Sequence, residues 1–230
     1  SGSMSGNEDN DLMYVGYGEG ASVTMSGGSG NDTLIGDLGG TYVMAGDAGN
    51  DELYGYTGND TLEGGAGSDY LSGGEGNDWL SDEDAGGGSN TLDGGEGNDT
   101  VDAGYGTQSV TGGAGDDILS VYEATGVLDG GTGADVLDGE YGTYTMTGGS
   151  GNDDLYGYYF GGTMSGGADD DNMYVGYGSG TVTMTGDGGN DTLEGQYSTA
   201  VLSGDLGNDV VDARHGTYTL TGGEGDDEVS

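Results

Sequence analysis

Residues 94–102 read Gly-Gly-Glu-Gly-Asn-Asp-Thr-Val-Asp, and this pattern, Gly-Gly-x-Gly-x-Asp-x-apolar-x, returns whole or eroded along the chain. Turns with Asp in the sixth place begin at Gly27, Gly46, Gly64, Gly73, Gly94, Gly112, Gly130, Gly148, Gly166, Gly186, Gly204 and Gly222. From Gly94 onward the step is 18 residues, except for one of 20, and a weaker turn at Gly55 interleaves with its neighbours. Two nonapeptides therefore make one coil: turn, short strand, opposite turn, short strand. Glycines in the second and fourth places permit the positive φ of a tight turn, while the other half of the nonapeptide favours strand. Parallel pairing of each strand with its counterpart one coil later builds a solenoid and not a hairpin sheet.

The eighth place is apolar from Leu34 to Val229 and is expected to form one narrow interior row. Where the Asp is missing, polar and apolar residues alternate with period two, as in Thr143–Thr147, Thr181–Thr185 and Thr217–Thr221. That alternation points Tyr144, Met146, Val182, Met184, Tyr218 and Leu220 inward and the threonines outward.

Composition bounds the rest. The chain has 43 acidic residues against one Lys or Arg, 59 Gly, no Pro, no Cys and 31% apolar residues, with a formal charge of -42. Ordering each backbone residue costs roughly 1 to 2 kcal/mol, and Gly costs most, so an ordinary hydrophobic core is excluded. Carboxylate repulsion adds to the deficit. Composition by itself describes a disordered chain; the strict period describes one that folds once positive charge is supplied. Arg214 alone cannot form a basic patch, which removes nucleic acid and anionic membranes as partners. No stretch approaches the roughly 20 apolar residues of a membrane span. The lack of Cys fits an extracellular protein held by metal. Residues 1–4, Ser1-Gly2-Ser3 before Met4, are expected to be a cloning remnant, and residues 5–230 a single solenoid excised from a longer chain.

The two edges of the coil differ. The first carries Asp11, Asp32, Asp51 and Asp69, then Asn90 after a short insertion around Asp82 to Asp84, and no Asp afterwards. The second begins with Val23 and Tyr42 and then carries Asp60, Asp78, Asp99, Asp117, Asp135, Asp153, Asp171, Asp191, Asp209 and Asp227. An ion ladder would thus occupy one edge over residues 6–90 and the opposite edge over 55–230. Stacked turns place carboxylates about 5 Å apart, which is repulsive unless a cation lies between them. Oxygen ligands without a His or Cys cluster select a hard ion, and calcium accepts six to eight oxygens in irregular geometry.

In these repeats the chain resembles the RTX, or haemolysin-type, calcium-binding β-roll family over about residues 5–230. The resemblance implies an all-β, right-handed parallel β-roll without helices, of about 12 to 13 coils of about 18 residues. It places each ion between turns one coil apart, bound by the sixth-position Asp of both and by turn carbonyls. Carried over, Asp99 with Asp117 and onward to Asp209 with Asp227 flank successive ions. The carbonyls in question are those of Gly28, Gly30, Gly65, Gly67, Gly74, Gly76, Gly95, Gly97, Gly113, Gly115, Gly131, Gly133, Gly149 and Gly151. Asn90, Gln108, Gly126, Tyr144, Gly162, Val182, Ala200 and Tyr218 depart from the family's Asp, so the resemblance supports ions less at those turns. Filling every interval takes about 13 calcium ions and leaves a net charge of about -16. The family further implies export unfolded through a type I channel, folding on external calcium, and service as a structural segment of an adhesin, surface-layer protein, toxin or secreted enzyme. Catalysis by the segment itself is not expected, since no unique cleft residue stands out.

Two surface rows remain. In the third place stand Tyr105, Glu123, Tyr141, Tyr159, Tyr177, Tyr197 and His215. They read as rings stacking on ion-free turns, with an aromatic strip for a glycan or protein partner as the alternative. Thr143, Thr145, Thr181, Thr183, Thr217 and Thr219 read as ordinary strand residues, with an ice-matching hydroxyl lattice as the alternative. Trp79 reads as solitary outward packing. Open solenoid ends expose strand edges, so head-to-tail self-association is a further expectation.

Overall fold

The computed structural model describes residues 1–16, 20, 22–83 and 86–230. Asp84, part of the expected insertion, lies outside them. Every regular element among the described residues is a β-strand, from Gly2–Glu8 to Glu228–Val229, and the fold is a parallel β-solenoid of about 12 coils with roughly 18 residues per turn. It divides into two compact units, Ser1–Gly115 and Asp116–Ser230.

In the first unit, Met4, Met25, Met44, Leu62, Leu80 and Val101 lie in register across successive parallel strands. Met13, Leu34, Leu53, Leu71, Leu92 and Val110 do the same on the opposite face. The second unit repeats the plan. Leu119, Leu137, Leu155, Met173, Leu193, Val211 and Val229 form one row, and Leu128, Met146, Met164, Met184, Leu202 and Leu220 form the other. The expected single interior row is therefore two, one per face. Two nonapeptides per coil each contribute an eighth-position residue, and the faces press these together. Most of these side chains are fully buried.

The interior is not purely apolar. Asp32, Asp51, Asp99, Asp117, Asp135, Asp153, Asp191 and Asp209 are each only 1% exposed. These sixth-position carboxylates are thus core residues. Gly2–Glu8 itself runs as a strand beside Ser22–Ser29, so Met4 stacks on Met25.

Candidate metal centre

The turn glycines set the frame. Gly149 and Gly151 adopt φ of 120° and 115°, a region that L side chains rarely enter. Where the second position is not Gly, the residues Asp47, Tyr56, Asp187 and Asp205 take left-handed φ of 71° to 73°. The carbonyls of Gly30, Gly67, Gly74, Gly76, Gly95, Gly97, Gly131, Gly133 and Gly149 each lie against the equivalent turn position one coil on. These sequence-selected carbonyls form columns that run along the stack.

The sixth-position aspartates form a hydrogen-bonded ladder. In the first unit the N–H of Asp11 donates to Asp32 Oδ1, Asp32 to Asp51 and Asp51 to Asp69, each at 2.7 Å. Asp69 donates to Asn90 Oδ1 at 3.0 Å, so Asn90 extends the ladder by one rung. On the other edge Tyr42 donates to Asp60, Asp60 to Asp78 and Asp78 to Asp99, again at 2.7 Å. In the second unit the chain of donors runs from Asp117 through Asp135, Asp153, Asp171, Asp191 and Asp209 to Asp227, at 2.8 to 3.0 Å. Each carboxylate thus reaches back one coil with Oδ1.

In ten of these carboxylates the other oxygen has nothing to accept. Oδ2 of Asp11, Asp32, Asp51, Asp60, Asp78, Asp135, Asp153, Asp171, Asp191 and Asp209 is buried without a hydrogen-bond donor. Beside it lies the carbonyl of the next coil's first-position glycine. A β-carbon on Gly27 would sit 2.4 Å from Asp32 Oδ2 and 2.7 Å from the Gly46 oxygen. On Gly148 it would sit 2.3 Å from Asp153 Oδ2 and 2.6 Å from the Gly166 oxygen. Gly27 and Gly148 lack positive φ, so the first glycine is required for space and not for conformation. Sequence reasoning picked the second- and fourth-position carbonyls and missed the first. Only contacts across coils identify it.

A second ladder, also missed, runs one residue earlier and in the opposite sense. Asn10 Oδ1 accepts the N–H of Asn31, Asn31 that of Asn50, and Asn50 that of Ser68. Asn59 and Asn77 accept from Asn77 and Asn98, and in the second unit Asn190 and Asn208 accept from Asn208 and Asp226. The recurring Asn-Asp pair therefore grips both neighbouring coils, position five reaching forward and position six back.

Turns without Asp show how the same backbone is completed without an ion. Gln108, 1% exposed, donates its Nε2 to the carbonyls of Gly104 and Tyr105 at 2.9 and 2.6 Å. Tyr144 donates its hydroxyl to the Glu140 carbonyl at 3.1 Å and accepts the N–H of Ala124 at 3.0 Å, and Tyr218 makes the matching pair with Arg214 and Ser198. Phe160 fills a neighbouring corner completely, its ring 6.1 Å from that of Tyr144. At these turns the side chain brings a donor or apolar bulk. At the Asp turns an undonated carboxylate oxygen lies near a backbone carbonyl, a donor set that fits a cation.

Electrostatics agree. Burial, the largest influence, pushes the carboxyls of Asp51, Asp60, Asp153 and Asp191 up to about 6 and those of Asp78 and Asp171 to about 7; the N–H donor from the preceding coil pulls each partly back. Asp99 and Asp135 are raised for the same reason. Unpaired buried charge is costly, and a hard divalent cation removes that cost. Among the described residues no three Asp, Glu, His or Cys side chains gather at one point, so an ion here draws most of its ligands from backbone carbonyls. Calcium tolerates that, whereas magnesium keeps a stricter octahedron and its waters.

The surface rows also take shape. Tyr141, Tyr159, Tyr177, Tyr197 and His215 stack face to face at centroid spacings of 4.7, 5.3, 5.0 and 5.0 Å. Tyr105 and Glu123 share their left-handed φ of about 50°. The threonines fall into two columns: Thr143, Thr181 and Thr217 are outward, and Thr145 and Thr183 pair across Thr163. Thr219 pairs with Val201. Trp79 points outward and donates its indole N–H to Asp102 at 3.3 Å.

A family model described as the RTX calcium-binding nonapeptide repeat, in four copies, matches residues 5–42, 45–80, 84–119, 125–155, 178–196 and 197–229. No curated protein matches the chain.

Proposed function

Because the chain belongs to the RTX calcium-binding nonapeptide repeat family, we propose that it is a secreted β-roll module that folds when it meets calcium outside the cell. In this reading it serves as a structural or extension segment of a larger surface or secreted protein, without catalysis of its own. The observation that carries it is the row of buried Oδ2 atoms facing backbone carbonyls with no donor between them. Bound calcium supplies the positive charge those oxygens need. Asp11, Asp32, Asp51, Asp60, Asp69, Asp78, Asp99, Asp117, Asp135, Asp153, Asp171, Asp191, Asp209 and Asp227 hold it with turn carbonyls, and Asn90 ends the shorter ladder. Extracellular modules bind calcium at about 10⁻⁴ to 10⁻³ M, so export in the unfolded state through a type I channel followed by folding fits this chemistry.

The test is circular dichroism of the chain in chelator and after calcium is added, with the bound ions counted by native mass spectrometry. A disordered spectrum that becomes β on addition, with about 13 ions retained, is expected. Full β structure in chelator at neutral pH rejects the reading. An ice or glycan surface is the alternative. The registered threonine columns favour it, but the tyrosine rings spend their faces on one another, which leaves only hydroxyl edges for a sugar.

A further inference from the structure

Among the described residues of the first unit, Asp37 is a buried polar group that the calcium ladder does not use. Asp37 is 7% exposed, its Oδ1 accepts the N–H of Leu38 at 2.7 Å, and its Oδ2 is buried with no donor. It forms part of the wall of a cavity of about 260 Å³, together with Tyr14, Ile35, Gly36, Leu38 and Tyr56. The rim is apolar and open to solvent, with Leu38 60% exposed and Tyr14 and Tyr56 each 50% exposed.

We propose that this cavity binds an alkylammonium group, as carried by a lysine side chain of another molecule. One unsatisfied carboxylate oxygen calls for a single charged donor. Tyrosine rings attract cations, and the apolar walls suit a methylene stem. A guanidinium prefers two oxygens side by side, but Oδ1 is already committed to Leu38, so ammonium is favoured over arginine. Calcium is disfavoured because one carboxylate in an apolar wall falls far short of six oxygens. The chain has no Lys, and its one Arg, Arg214, pairs with Asp212, so the occupant comes from a different molecule.

The experiment titrates the calcium-loaded chain with N-acetyl-lysine methylamide. Binding is followed by calorimetry and by the ring signals of Tyr14 and Tyr56 in ¹³C-tyrosine-labelled protein. Saturable binding that moves both rings is expected, with N-acetyl-norleucine methylamide inert and the arginine analogue several-fold weaker. Asp37→Asn should weaken lysine binding about tenfold or more, and Tyr14→Leu should weaken it while leaving Asp37 in place. The β spectrum in calcium checks the folding of each variant, so failure of the calcium reading shows up separately. No saturable shift, equal affinity in Asp37→Asn, or displacement of the probe by further calcium overturns the proposal.

Discussion

At the scale of single residues, the first-position glycine separates two reasons for glycine in this repeat. Gly148 is there because a β-carbon would collide with Asp153 Oδ2 and the Gly166 carbonyl. Gly188, in contrast, has open space around it, and Ala168 and Leu206 occupy the paired positions in adjacent strands. Gly148→Ala should therefore destabilise the calcium-loaded chain by about 1 to 3 kcal/mol and raise the calcium needed for folding. Gly188→Ala should stay within about 0.5 kcal/mol. Denaturant unfolding in calcium reads both, and equal losses would refute the cradle. The sixth-position Asp was legible in the sequence because a repeated acidic residue in a glycine turn has few other uses. The first-position carbonyl and the role of Asn31, Asn50 and Asn77 were not, since both depend on what lies one coil away.

At the scale of the turn and its strand, the chain uses two ways of closing the same backbone. Gln108 carries its own donor, so Gln108→Ala should cost about 1 to 3 kcal/mol by stranding the Gly104 and Tyr105 carbonyls. That loss should be the same at two calcium concentrations that both maintain the fold. Gln108→Asp replaces the donor with an acceptor and should make stability at that turn rise with calcium; a loss in Gln108→Ala that calcium repairs would contradict the assignment. The period of 18 and the inward–outward alternation of Tyr144 and Met146 were legible, because strand geometry alone dictates them. The filling of a corner by Phe160, beside Gly157 and the ring of Tyr144, was not, since it is set by volume shared between coils. The third-position tyrosines were read as stacked rings, and the structure adds their left-handed backbone, a strain of about 1 to 2 kcal/mol each that ring stacking helps offset.

At the scale of the whole molecule, charge decides when the chain folds. A carboxyl held at about 6 or 7 in the folded state, against 3.8 ordinarily, takes up a proton on folding. The calcium-free fold therefore gains stability as pH falls from about 7 toward 4 and loses it as pH rises back through that window. In chelator, dilute chain should show more β signal at pH 5 than at pH 8, and the apparent affinity of the folded chain for calcium should be weaker at pH 5 because protons compete for the same oxygens. A chelated spectrum indifferent to pH would contradict the burial of those carboxyls. That calcium-free chain would be held together by protons was not legible, because it needs the depth at which each Asp lies. The opposed Asn and Asp ladders carry a mechanical consequence. Within either unit their bonds run between coils, parallel to a pull on the stack, so force peels off one coil at a time. Each step frees about 60 Å of extended chain, which makes the segment a stepwise shock absorber and not a brittle strut.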